Sequence, residues 1–233
     1  MAVKLKNTAD VHANGIKALV YGMAGAGKTT LSASMPAPII ISAEGGLLSI
    51  KDAGLPYIEV SSMDSLMEAF EYVAGADGNC FQSVVLDSIS EIGEVVLNHE
   101  KSINKDGRAA YGEMATQMTS IIRAFRDLPG KNVLMTAKAE KSQDETGRIL
   151  YSPSMPGNKV GQALPYFFDL VIALPYFYDL MLALRVEKDA DGVTQRALLC
   201  QPDGLWSAKD RSGKLDQWEA PDMGEIIRKI GGV

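Results

Sequence analysis

Short apolar runs alternate with amphipathic stretches along most of this chain. Ile16-Lys17-Ala18-Leu19-Val20-Tyr21 reads as a short, mostly apolar strand, and Thr29 to Met35 reads as a helix stopped by Pro36 and Pro38. Ile39-Ile40-Ile41 is a buried strand ending at Ser42-Ala43-Glu44-Gly45-Gly46, and Tyr57-Ile58-Glu59-Val60 is a third strand. Leu66, Met67, Phe70 and Val73 fall on one helical face that ends near Gly75. Ser83-Val84-Val85-Leu86 is an apolar run closed by Asp87-Ser88. Met114, Met118, Ile121, Ile122 and Phe125 mark an amphipathic helix that closes at Pro129-Gly130, and Asn132-Val133-Leu134-Met135-Thr136 is a further buried strand. Strands alternating with helices predict an α/β fold with a mostly parallel central sheet flanked by helices.

Two polar stretches interrupt this rhythm. Residues 101 to 110 read as a loop carrying Lys101, Lys105 and Arg108, and residues 138 to 161 as a longer one carrying Lys138, Lys141, Arg148, Tyr151 and Lys159. Cations with a stacking aromatic suit a single strand of nucleic acid; Glu140, Asp144 and Glu145 suit a solvated loop equally well. Ala163-Leu-Pro-Tyr-Phe-Phe-Asp-Leu-Val-Ile172 is then followed at once by a near copy, Ala173-Leu-Pro-Tyr-Phe-Tyr-Asp-Leu-Met-Leu182. Two repeats are too few for a solenoid, so a local duplication is the simpler account. Either copy can supply a core strand, and Pro175 bars the pair from forming one uninterrupted central strand. That strand should run on through Leu184-Arg185-Val186, turn at Asp189-Ala190-Asp191-Gly192 and return as Thr194 to Cys200, a C-terminal β-hairpin extension. Ile226, Ile227 and Ile230 suggest a short closing helix after Pro221-Asp222.

A chain of 233 residues with 46% hydrophobic content fits one domain, with residues 1–15 as an arm and 16–233 as the core. No apolar run approaches membrane-spanning length and the N-terminus lacks the apolar block of a secretory signal, so the expected compartment is the cytoplasm, without a membrane partner. Net charge of -6 argues against coating nucleic acid by bulk electrostatics, leaving local loops for any such contact. Cys80 and Cys200 are far apart, and His12 and His99 do not cluster with them, so no metal-type spacing arises and the thiols read as buried or incidental.

The chemistry concentrates after the first strand. Gly22-Met23-Ala24-Gly25-Ala26-Gly27-Lys28-Thr29, with Thr30 behind it, fits the phosphate-loop pattern G-x-x-x-x-G-K-[ST] at every position, between a strand and a helix as that motif requires. Its glycines let consecutive N–H groups turn toward phosphate oxygens, with the helix N-terminus behind them. Lys28 reaches the β- and γ-phosphates as a point charge, and the Thr29 hydroxyl takes a place on Mg²⁺. The pattern therefore predicts a bound nucleoside triphosphate, ATP with Mg²⁺. Asp87, delivered to a strand's carboxyl end, is the expected Walker B aspartate opposite Thr29. Glu44, at the end of a neighbouring strand, is the first candidate for the base that activates water, with Glu91 ranked below it. Thr136 at its strand end can sense the γ-phosphate or be an ordinary strand-end threonine.

The ordered set of phosphate loop, Glu44, Asp87-Ser88, Thr136 and K-x-R-x-G at Lys209-Asp210-Arg211-Ser212-Gly213 resembles the RecA-like ATPase superfamily. More closely, the chain looks like the short, core-only RecA-like proteins of bacteriophages, the Sak-type ATPases of single-strand annealing and recombination. Pro156-Gly157-Asn158-Lys159, Leu164-Pro165-Tyr166-Phe167-Phe168-Asp169 and Ala208-Lys209-Asp210-Arg211 are the more specific parts of the likeness. The resemblance implies a RecA-like P-loop core, Glu44 as catalytic base, and Lys209 with Arg211 reaching the ATP of a neighbouring subunit in a ring or filament. It implies that the stretches 101 to 110 and 138 to 161 contact single-stranded DNA, that a single-strand DNA-binding protein is a partner, and that the compartment is a bacterial host's cytoplasm. The tandem repeat and the lack of the extra domains of bacterial recombinases depart from that pattern. A GTPase would need an N-K-x-D motif, which neither Asn104-Lys105-Asp106-Gly107 nor Asn158-Lys159-Val160-Gly161 supplies, and a small-molecule kinase would need an arginine-rich lid. The competing expectation is a nucleotide-switched assembly module that controls a protein partner without acting on DNA.

Overall fold

The computed structural model describes residues 15–157, 178–188 and 194–231. Seven strands form the body of the fold: β1 (Ile16–Gly22), β2 (Pro38–Ser42), β3 (Tyr57–Glu59), β4 (Ser83–Asp87), β5 (Asn132–Gln143), β7 (Tyr178–Lys188) and β8 (Thr194–Leu199). They are joined by β6 (Ile149–Ser154), β9 (Lys209–Asp210) and β10 (Trp218–Glu219) in one sheet ordered β10-β8-β7-β1-β5-β4-β2-β3, with β6 paired to β5 and β9 to β7. The pairs β1–β5, β1–β7, β4–β5, β2–β4 and β2–β3 are parallel. The pairs involving β6, β8, β9 and β10 are antiparallel.

The apolar runs read as strands because both faces of the parallel sheet are covered. Leu19, Tyr21, Ile39, Ile41, Val84, Leu86, Val133 and Met135 pack on one face with α2 (Met63–Ala74), α3 (Ile89–Ile103) and α4 (Gly107–Arg126). Their alternates, among them Ala18, Val20, Ile40, Val85 and Leu134, pack on the other with Leu31 of α1 (Lys28–Ser32) and with the isoleucines of α5, the C-terminal helix Met223–Ile230. Asp222 caps that last helix by accepting from the Glu225 N–H. Burial of β4 on both faces is complete, which is what carries the aspartate at its end into the interior.

Several expectations are corrected. The stretch 101–110 is not a loop: α3 runs to Ile103 and α4 starts at Gly107, so only residues 104–106 lie between them. Asp106 starts α4 by accepting from the Arg108 N–H at 2.9 Å, which draws Arg108 into the first helical turn and leaves Lys101 in the last turn of α3. The stretch 138–161 is not irregular either. β5 continues seven residues past Thr136 and pairs with β6 through Lys138↔Ser154 to Gln143↔Ile149. The turn between them forms because Asp144 Oδ1 accepts from the N–H groups of Thr146 and Arg148 while Gly147 takes a positive φ of 83°. Helix α1 ends at Ser32, three residues before Met35. The second repeat copy supplies the core strand: Tyr178 to Leu182 pair with Ile16 to Val20. The first copy, Pro175, Lys159, the turn at 189–192 and the arm at 1–14 lie outside the described residues. Among the described residues no helix is long and apolar enough to cross a membrane.

Candidate nucleotide site

β1 ends at Gly22, and the chain turns through residues 23–27 into α1. The turn needs glycine twice: Gly25 has φ 76° and Gly27 φ 103°, a region where side chains are strained. The Lys28 ammonium folds back over this loop and donates to the carbonyls of Gly22 at 2.9 Å and Met23 at 3.0 Å. Burial lowers its pKa below the ordinary 10.5, and Lys138 pushes in the same direction, while Glu44 and Asp87 oppose the fall. Helix α1 has only five residues, so the loop's own N–H groups, rather than a long helix behind them, make up most of the anion cradle.

Beside the loop, Thr29 Oγ1 donates to Asp87 Oδ2 at 2.7 Å. Asp87 is 1% exposed, and its other oxygen, Oδ1, accepts from the fully buried Thr136 hydroxyl at 2.5 Å. One hydroxyl and one carboxylate oxygen, both hard donors at the mouth of a phosphate loop, fit Mg²⁺, which keeps waters and phosphate oxygens for its remaining places. No group of three or more His, Cys, Asp or Glu able to enclose a metal exists among the described residues. Glu44 follows β2, the neighbour of β4. Its Oε1 accepts from Ser88 Oγ at 2.6 Å and its backbone carbonyl from Ser42 Oγ at 2.6 Å, so both ends of the residue are held.

A cavity of about 560 Å³ opens over the phosphate loop, and Glu44, Ser49, Lys138, Ala139 and Arg196 complete its wall. That volume is within the range of small-molecule sites. The structure thus brings together the loop residues, Thr29, Asp87 and Glu44. Thr136 turns toward Asp87 and positions that carboxylate. Two places on, Lys138 lines the cavity beside Ala139 and forms an ion pair with Glu91 in the first turn of α3. That bond raises the Lys138 pKa. Lys138 therefore lines the nucleotide cavity, where the sequence left its stretch open between a nucleic-acid loop and a solvated one. Its register explains the placement: Lys138 pairs with Gly22, the first residue of the phosphate loop.

Lys209 and Arg211 do not line the cavity. Lys209 lies on β9 opposite Met181, with burial and the Arg211 charge lowering its pKa. Lys141 and Arg148 sit on the β5–β6 hairpin, and Arg148 reaches the backbone of Gly204. Tyr151 is half-buried and stacks one face of its ring on Trp206 at 4.3 Å and 12°. Tyr111, in the first turns of α4, is exposed with Lys101 Nζ 5.3 Å from its ring centre, and Trp218 is exposed with Arg185 5.1 Å from its ring centre. Sequence reasoning missed Arg196. Its one signal was alternation, since Arg196 precedes Leu198 and Cys200 on one face of β8.

A parallel sheet carrying a phosphate loop at the carboxyl end of β1, with an aspartate and a glutamate at the ends of β4 and β2, defines a P-loop nucleoside triphosphatase core. The chain belongs to the AAA domain family, which matches residues 14–212 and places it among the nucleotide-binding ATPases. No curated protein matches the chain.

Proposed function

We propose that this protein is a RecA-like, Mg²⁺-requiring ATPase that acts on single-stranded DNA in recombination or strand annealing of the phage type. The reading is supported above all by one adjacency. Gly157, just past the end of β6, approaches the Tyr111 ring so closely that a Cβ there would lie 3.1 Å from it, and Lys101 stands over the same ring. The exposed Tyr111 and the cations of the α3–α4 corner thus meet the chain just past the strand that returns toward the nucleotide cavity. A base stacked on Tyr111, with its phosphates near Lys101, Lys105 and Arg108, is the chemistry of single-strand binding. β5 runs from Thr136 through Lys138 into the hairpin, so a change at the phosphates has a continuous strand along which to act.

In this reading the loop residues 22–30 hold the phosphates, and Lys28 turns its ammonium from the Gly22 and Met23 carbonyls to the β- and γ-oxygens. Thr29 and Asp87 would hold Mg²⁺, which when bound would offset the charge of the phosphate oxygens. Glu44, oriented by Ser88, takes the proton of the attacking water. A second reading, a nucleotide-switched assembly module, draws on the net charge of -6.

Steady-state ATP hydrolysis with and without single-stranded DNA, at low and physiological salt, separates the two, with Lys28→Ala as the blank. The DNA reading expects stimulation that weakens with salt and is absent from the blank. It also expects Tyr111→Ala to weaken DNA binding by about tenfold. Tight ATP binding without any response to nucleic acid would favour the assembly module.

A further inference from the structure

Arg196 has no part in the mechanism above, yet its position is specific. In the β7–β8 ladder it pairs with Val186. In the β1–β7 ladder Ala183 pairs with Tyr21, the last residue before the phosphate loop begins at Gly22. Arg196 therefore stands beyond the level at which β1 ends, above the loop. Leu198 and Cys200 pack in the same apolar cluster as Ala26 and Leu31, and strand alternation turns Arg196 toward that same side. The side chain comes close: a Cβ at Gly27 would lie 3.3 Å from Arg196 Nε and 3.4 Å from Cδ. Arg196 shares its cavity with Lys28, Thr29, Glu44 and Lys138. β5 and β7 flank β1 on opposite sides, so Lys138 and Arg196 face the phosphate loop from opposite directions. Among the described residues the ion pairs formed do not involve Arg196.

We infer that Arg196 is a phosphate-binding residue acting in cis, its guanidinium closing over the polyphosphate of the nucleotide held by the loop of the same chain. The inference rests on the nucleotide reading of the site and deepens it. A planar guanidinium donates two parallel N–H groups to non-bridging phosphate oxygens, a geometry an ammonium cannot reproduce. Lys28 enters from within the loop and Lys138 from β5; Arg196 supplies charge from β8. Bound nucleotide would also tie β8 to the loop, so the β7–β8 hairpin would be held in place by the ligand.

The test compares full-length wild type with Arg196→Ala and Arg196→Lys, reading ATP affinity with a fluorescent ATP analogue and turnover at saturating Mg²⁺. Arg196→Ala is expected to lower kcat/KM at least about tenfold, as for loss of a charge-assisted hydrogen bond, with Arg196→Lys recovering only part. Thermal unfolding without nucleotide should be unchanged, because the side chain is exposed. Mixing Arg196→Ala with Lys28→Ala distinguishes cis from trans action: a cis residue leaves no intact site in the mixture, so recovery of turnover would overturn the cis assignment. Affinity and kcat/KM of Arg196→Ala within twofold of wild type would overturn the arginine's role while leaving the nucleotide site standing. Failure of the wild-type chain to bind any nucleoside triphosphate would overturn the site and this inference together.

Discussion

Ser88 Oγ donates to Glu44 Oε1 over 2.6 Å, joining the ends of β4 and β2 at the wall of the nucleotide cavity. The residue after Asp87 thus fixes the carboxylate next to the phosphate loop. Glu44→Gln should still bind ATP but lose turnover by about 100-fold or more, the usual contribution of a positioned general base. Ser88→Ala should lower kcat by less, about tenfold, with KM nearly unchanged, because the base stays present but loses its orientation. Single-turnover hydrolysis reads both. Normal turnover in Glu44→Gln together with loss in Glu91→Gln would move the base to α3.

Asp87 accepts from Thr29 on one oxygen and from Thr136 on the other. Asp87→Ala would leave the buried Thr136 hydroxyl without this partner, at a cost of about 1–3 kcal/mol, or several degrees in Tm for a chain of this size. Asp87→Asn keeps the shape while weakening the metal ligand. Wild type should therefore gain thermal stability from Mg²⁺ and ATP together more than from ATP in EDTA, and Asp87→Asn should lose that difference. An equal Mg²⁺-dependent gain in both proteins would contradict the assignment.

The strands and the strand-end acids were legible because parallel strands covered on both faces are nearly uniform apolar runs, and such runs stop where function begins. Even the exception in β1 has a tertiary cause. Lys17 is fully buried and donates to the carbonyls of Leu128 and Lys131, at 2.9 and 2.6 Å, which come near only once the turn before β5 is folded. The packing partners of Lys138 and Tyr151, Glu91 and Trp206, were illegible for the same reason, since they lie some fifty residues away. The β5–β6 hairpin did carry local signs, Asp144 and Gly147 at its turn, but its exposed polar strands resemble a loop when read by hydrophobicity alone. Arg196 was illegible because its location depends on two strand registers at once, β7 on β1 and β8 on β7.

Lys28 is held below its ordinary pKa of 10.5, first by burial. Only its charged form attracts phosphate, and the charged fraction falls as pH rises through the depressed value. ATP affinity should therefore begin to fall at a lower pH than an exposed lysine would dictate, and ATP should bind with proton uptake in that range. Calorimetric titration in buffers of different ionisation enthalpy on the alkaline side of neutrality measures the uptake. Affinity that falls no earlier than an exposed lysine dictates would contradict the shift.

The two thiols should behave differently. Cys80 is exposed, whereas Cys200 is buried with its pKa pushed up to about 12 by burial and by the neighbouring Glu219 and Asp210 carboxylates. A thiol-specific reagent at neutral pH should label one cysteine rapidly, and Cys80→Ser should remove that fast phase. Labelling of Cys200 should follow only on unfolding. Two fast equivalents in the folded protein would show that the β8–β10 edge opens readily.

Arg211 follows β9, which pairs with β7 through Leu180↔Asp210 and Met181↔Lys209, below the level of the phosphate loop. The turn presenting it is well fixed: Asp210 Oδ1 accepts from the Ser212 N–H and Oγ–H, and Oδ2 from the Leu215 N–H. A cation so placed does not line its own chain's cavity, so any action on ATP must be on that of a neighbour. Wild-type turnover per chain should then rise with protein concentration. Arg211→Ala should fold and bind ATP yet hydrolyse it about a thousandfold more slowly under conditions of assembly, the scale of an arginine supplied in trans. Mixing Arg211→Ala with Lys28→Ala should restore part of the activity, because the first supplies an intact phosphate loop and the second an intact arginine. Full activity in a dilute Arg211→Ala monomer would remove Arg211 from the chemistry and leave Arg196 as the arginine closest to the nucleotide.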